Sequence, residues 1–255
     1  MTASDLSGAI CIFHYGRCGS TVLTRLLEQC GCLSLGEFLH PVSGAKYSAV
    51  DGLRRERDAA HASAEVLDGL ARVIADRRGE ANDPVLFEVK GLDFIRRAIG
   101  DGPETFVPAM AERGVTRCIH LERRDLLARL VSTTLAGRTG VYHRTDVAER
   151  PEPFEIEPEH AVAEIGRQAA MRDRVRAALA AGPLEVLELE YERDLMGDPR
   201  IGAVKVARWL GIDVHLDELR VEHRRTTPFP ASEVLSNHEA VLAALAGAGL
   251  APPPA

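Results

Sequence analysis

At 255 residues, with 45% hydrophobic and 27% charged side chains, the chain has the length and composition of one large globular domain rather than a disordered or low-complexity protein. A net charge of −7 argues against non-specific nucleic-acid binding, which draws on a basic surface to release counterions, so any anionic ligand must be held by local cations. No secretory leader and no apolar stretch of membrane-spanning length is present in the sequence, so the expectation is a cytoplasmic protein without a membrane span.

In chain order, AICIFHY (9–15) is expected as a buried strand that runs through a glycine-bracketed turn into a helix at 19–31. A helix at 57–78 precedes the strand PVLFEVK (84–90), and a helix at 103–113 follows it. VTRCIHLE (115–122) is the next strand, leading to a helix at 124–138. The acidic, proline-broken segment TDVAERPEPFEIEPEH (145–160) is then either a lid or a solvated surface loop. A helix at 158–181, the strand LEVLELE (184–190) and helices at 199–210 and 238–247 complete the pattern, with a basic loop at 222–234 and a disordered tail at 251–255. Strands alternating with helices predict parallel pairing through right-handed crossovers. The expected fold is α/β: one domain over 1–255, a three-layer sandwich with a central parallel sheet and a P-loop-like nucleotide-binding turn.

The cysteines Cys11, Cys18, Cys30, Cys32 and Cys118 form no CxxC pair, and the histidines form no HExxH. Reduced thiols and no metal centre are therefore expected. The chemistry concentrates in HYGRCGSTVLTRLL (14–27). A strand entering a helix through glycines points backbone N–H groups at one spot, where the helix dipole also favours an anion. A nucleoside-triphosphate loop reads GxxxxGK[ST], but here Gly16 and Gly19 stand three apart, Ser20 and Thr21 follow, and the cation, Arg17, comes earlier. Such a turn suits a single phosphate; the plain alternative is a strand-to-helix turn capped by Ser20 or Thr21. Further on, Arg124 at a strand end and Ser132 two helical turns later are placed to grip one anion together, or are ordinary surface residues.

Together these motifs resemble the sulfotransferases that use 3′-phosphoadenosine 5′-phosphosulfate (PAPS). Arg17, Gly19, Ser20 and Thr21 match the family's [KR]-x-G-[ST]-[ST] loop for the 5′-phosphosulfate, and Arg124 with Ser132 matches its 3′-phosphate element. RRDLLARLVSTTLAGRTGVYH is most similar to the bacterial branch typified by trehalose 2-sulfotransferase. YERDLMGDPRIGAVKVARWLGI (191–212) and RRTTPFPASEVLSNHEAV resemble the family's late segments. The resemblance implies metal-independent, in-line transfer of the sulfuryl group from PAPS to a hydroxyl or amine of a small-molecule or carbohydrate acceptor, leaving adenosine 3′,5′-bisphosphate (PAP). It also explains the absent lysine, since a phosphosulfate without magnesium gives a Walker lysine no task.

Residue by residue, the resemblance implies that the backbone from Cys18 to Thr21 cradles the 5′-phosphate while Arg17 stabilises charge on the departing oxygen. Cys18 would contribute its backbone alone. Arg124 and Ser132 would hold the 3′-phosphate with Arg123 turned to solvent, and Arg224 and Arg225 would close over it or remain free surface charges. Glu37 is the first choice for the general base and His40 the second. Lys90 would touch the sulfonate or the acceptor; His143 would line the acceptor pocket or simply pack. Relatives often dimerise, which makes a homodimer an expectation. A P-loop kinase for a small metabolite and a non-catalytic nucleotide-binding protein are the competing functions.

Overall fold

The runs at 9–14 and 85–89 are buried along their whole length, as suits central strands of a parallel sheet covered on both faces. The computed structural model describes residues 5–37, 62–78, 83–95, 99–142, 146, 149–223 and 227–250. Its sheet has five parallel strands: β1 (Ala9–His14), β2 (Leu33–Ser34), β3 (Val85–Lys90), β4 (Arg117–Glu122) and β5 (Glu185–Glu190), in the order β2-β3-β1-β4-β5. The register sets His14 beside Lys90 on one side and beside Leu121 on the other, so the ends of β3 and β4 flank the end of β1. Because the chain steps to one side of β1 and later crosses to the other, the crevice above β1 is a topological switch point, where open α/β sheets bind ligands.

The helices are α1 (Ser20–Gln29), α2 (Ser63–Arg78), α3 (Gly91–Ile95), α4 (Pro103–Glu112), α5 (Leu126–Thr139), α6 (Pro158–Ala181), α7 (Pro199–Trp209), α8 (Ala231–Val234) and α9 (His238–Gly247). Alternation along the strands sorts them into layers. Cys11, Phe13 and Tyr15 face a core built with α2, α4 and α6, whereas Ile10 and Ile12 face a second core with α1 and α7. A third cluster joins α5, α6 and α9 to Phe154 and Ile156. The fold is thus a three-layer α/β sandwich with a central parallel sheet, and the five cysteines are free thiols. No helix among the described residues is long and apolar enough to cross a membrane.

Several elements have no counterpart in the sequence reading. β2 is two residues long, too short for any periodicity, yet its ladder continues: Leu35 N–H donates to Leu86 O, and Glu88 N–H donates to Gly36 O. That extension carries the chain to Glu37. A five-residue π-helical turn, Tyr191–Leu195, stands between β5 and the helix expected at 199–210, where no element was expected. In the segment after 145, Phe154 N–H donates to Val234 O and Ser236 N–H to Phe154 O, while Asn237 bonds both the N–H and the C=O of Ile156. Residues 154–156 are therefore fixed to the α8–α9 junction. The 57–61 portion of the expected second helix and the expected tail lie outside the described residues.

Candidate active site

The turn between β1 and α1 is built on left-handed backbone. Gly16, Arg17 and Gly19 have φ of 75°, 54° and 84°, and Arg17 is the one non-glycine residue with positive φ among the described residues. Such a conformation strains an L-residue and persists where surrounding contacts impose it. Gly19 is also closely approached: a Cβ there would lie 3.2 Å from Leu195 and from the Tyr191 ring. It forms the N-cap of α1, and no side chain caps the helix, so neither Ser20 nor Thr21 plays the plain capping role. The first N–H groups of α1 thus face the crevice without a side-chain acceptor, the arrangement that receives an anion.

The contacts that impose the loop come from three elements. Gly16 N–H donates to His14 Nδ1 at 3.0 Å, which leaves the ring proton on Nε2, 2.9 Å from Glu88 Oε2. Arg123 Nη1 donates to the carbonyl of Arg17 at 3.0 Å, its guanidinium 4.7 Å from the Tyr191 ring centroid. Arg129, on α5, donates through Nη1 to the carbonyl of Tyr15. The Arg17 side chain crosses to the neighbouring motif: Nε donates to Ser132 Oγ at 3.1 Å and Nη1 to the Tyr142 carbonyl at 2.7 Å. Thr227 Oγ1 donates to the same Ser132 hydroxyl at 3.3 Å. Burial, aided by nearby Arg123, holds the Arg17 guanidinium below its ordinary pKa. Burial pushes the Cys18 thiol up, but His14, the Tyr15 backbone and Arg129 outweigh it and hold the group below the usual range.

On the β3 side the structure places Lys90 Nζ 2.5 Å from Glu37 Oε2. Lys90 ends β3, where its amide donates to Asp93 Oδ2 at 2.8 Å, and Glu37 follows the β2 ladder. Behind them lies the buried His14–Glu88 pair. Burial pushes the Glu88 carboxyl up, but His14, the Ser20 hydroxyl and Lys90 together bring it below the usual carboxylate range. Among the described residues, His14, Glu37 and Glu88 also place one ligand atom each within 4.8 Å of one another, a spacing a cation can use, although the Lys90 ammonium already sets a positive charge on Glu37.

The two arginines at the end of β4 are disposed against expectation. Arg123, expected to face solvent, keeps only 9% of its side chain exposed because the loop carbonyl and Tyr191 cover it. Arg124 keeps 59% exposed and lies 3.6 Å from Glu190, with no contact to Ser132 among the described residues. Asp125 caps α5 by accepting from Ala128 N–H, which makes Leu126 the first helical residue and fixes which arginine turns inward. His40, His143, Arg224 and Arg225 lie outside the described residues. Sequence reading missed His14, Glu88 and Arg129; the available signal was a charged or polar residue at a core position of an apolar pattern.

The surface also carries two hollows. A cleft of about 400 Å³ opens beside α1, lined by Arg25, Glu28, Arg220, Glu222 and His223 and by none of the residues of the 14–21 turn. Gln29 ties its rim by bonding both the N–H and the C=O of Arg220. A smaller hollow of about 170 Å³ adjoins Ser132 and Thr227, with Arg150 at its edge.

No protein-family model matches the chain, and no curated protein does. Among solved structures, the chain is similar to the sulfotransferase domain of the olefin synthase of Synechococcus PCC 7002, at 17% identity over 92% of this chain and 84% of that one, with a TM-score of 0.49. A likeness of that size carries no argument about activity.

Proposed function

We propose that this protein is a PAPS-dependent sulfotransferase acting on a hydroxyl or amine of a small-molecule or carbohydrate acceptor. One observation carries the reading. Arg17 and Ser132, from the two motifs that resemble the family's phosphate elements, lie 115 positions apart and meet at 3.1 Å beside an uncapped helix N-terminus. A chance surface arginine has no reason to adopt positive φ and reach that serine.

In this reading the donor's 5′-phosphate sits against the N–H groups of residues 18–21, and its 3′-phosphate near Ser132 and Thr227, with Arg124, Arg224 and Arg225 as further cations. The acceptor oxygen or nitrogen attacks sulfur as its proton passes to Glu37; the S–O bond to the phosphate breaks and its electron pair leaves with PAP. Arg17 compensates the growing charge and, as a guanidinium, acts without giving up a proton. Glu37 is held by Lys90 at rest, so acceptor binding must draw them apart, leaving Lys90 for the sulfonate. His40 and His143 remain candidates for the second base and the acceptor pocket. The segment similar to the trehalose branch supports a carbohydrate hydroxyl as the first acceptor to try.

The test is transfer from sulfur-labelled PAPS to a panel of sugars, amino sugars and small alcohols, with a chelator present. Labelled product together with PAP is expected. Phosphate transfer from magnesium ATP to the same panel, with no transfer from PAPS, would favour the kinase instead.

A further inference from the structure

Arg129 is the largest fully buried side chain among the described residues, 1% exposed. It stands three residues before Ser132 on α5, so both side chains lie on the helix face turned to the phosphate loop. Nη1 serves the Tyr15 carbonyl, but Nε and Nη2 have no hydrogen-bond partner among the described residues. No carboxylate among the described residues bonds it. Glu164, an acid near enough to influence it, has its oxygens engaged by Arg167 and Gln168, each at 2.5 Å. An uncompensated buried charge is costly, and replacing it with an apolar side chain of similar volume is often neutral or stabilising. The same side chain lies against the loop that the site offers to an anion, through Tyr15 and close to Cys18.

We infer that Arg129 is the inner cation of the anion site: no carboxylate of the described residues bonds it, and the anion that the loop binds in front of it balances its charge. Arg129 is thus a positioning and charge-compensating residue, acting through the loop rather than on the reacting atoms. The inference rests on the reading of the 14–21 turn as an anion loop, not on which nucleotide occupies it. Burial pushes its guanidinium down to about 10, which still leaves it cationic at neutral pH.

A purely structural arginine and a compensating one respond oppositely to removal of the charge. Arg129→Met and Arg129→Lys are compared with the wild type by melting temperature without ligand and by calorimetric affinity for PAP and for pyrophosphate. The inference expects Arg129→Met to melt at or above the wild type while binding either anion about tenfold more weakly, the scale of a hydrogen-bonded charge. Arg129→Lys should retain most of the affinity. Unchanged affinity in Arg129→Met would overturn the inference. Should Arg129→Met not fold, Arg129→Lys decides: loss of anion affinity in that folded, still cationic variant would overturn the compensating role. Wild-type protein that binds pyrophosphate but not PAP would sink the sulfotransferase reading while leaving the Arg129 comparison readable on pyrophosphate.

Discussion

The two flanks of the phosphate loop handle charge differently. On the β3 side each carboxylate has a side-chain partner within reach: Glu37 meets the Lys90 ammonium, and Glu88 lies 2.9 Å from the protonated Nε2 of His14. On the β4 side Arg17 donates to a hydroxyl and a carbonyl, and Arg123 and Arg129 donate to the carbonyls of the loop itself, while the exposed Arg124 lies 3.6 Å from Glu190. Paired charges in a crevice can exchange a proton or release a partner. Cations resting on carbonyls hold the loop's shape and keep positive potential for an incoming anion. In the proposed reading, the acceptor and its proton fall to the β3 flank and the donor's phosphates to the β4 flank.

The most damaging way to test that division is to remove the base. Glu37→Gln should lower kcat by about a hundredfold to ten-thousandfold with PAP affinity unchanged, as loss of general-base catalysis does. Unchanged turnover would pass the role to another group, His40 first. Arg17→Ala should cost kcat about a hundredfold or more, the scale of losing one preorganised charge donor. Here the loss should persist at saturating PAPS, and an effect confined to KM would contradict the assignment.

Affinity and stability probe the same contrast with smaller effects. Glu88→Gln keeps the shape and removes the charge facing His14; urea unfolding at neutral pH should show a loss of about 2 kcal/mol, the scale of a buried charged hydrogen bond. Because Glu88 is held below its unfolded pKa, its contribution is present above about pH 4.3 and fades as pH falls through the lower folded value. The wild type should therefore lose stability in that acid window, and Glu88→Gln should be flatter there. Smallest is the effect at Ser132: Ser132→Ala should weaken PAP binding about threefold to tenfold, one neutral hydrogen bond's worth. Comparing Arg123→Ala with Arg124→Ala sharpens the picture, since the covered Arg123 should cost more PAP affinity than the exposed Arg124. The reverse order would restore Arg124 as the main phosphate ligand.

The layered fold was legible because its helices and strands are long and strongly patterned. The helix expected at 158–181 spans those residues, and the strand expected at 84–90 begins one residue later, at Val85. β2 and the π-helical turn were not legible: two residues carry no period, and five carry little more, although the turn sets the Tyr191 ring close to Gly19. At the site, the glycine turn pointed to Arg17 and the eight-residue spacing paired Ser132 with Arg124; the structure brings Ser132 to Arg17 instead, and adjacent Arg123 and Arg124 could be told apart only by where α5 begins. His14, Glu88 and Arg129 sit inside apolar runs, where a polar residue's purpose is written in its partners on other strands and helices rather than in its own neighbours.

The division of the loop depends most directly on the anion it holds. Thermal denaturation of the wild type with PAP and no metal, beside magnesium ATP, measures this. At a hundred times its Kd, a ligand of the folded state adds about 2.7 kcal/mol, or about 5–10 °C for a chain of this size. The account predicts that rise for PAP and little for magnesium ATP; a rise with magnesium ATP and none with PAP would contradict it.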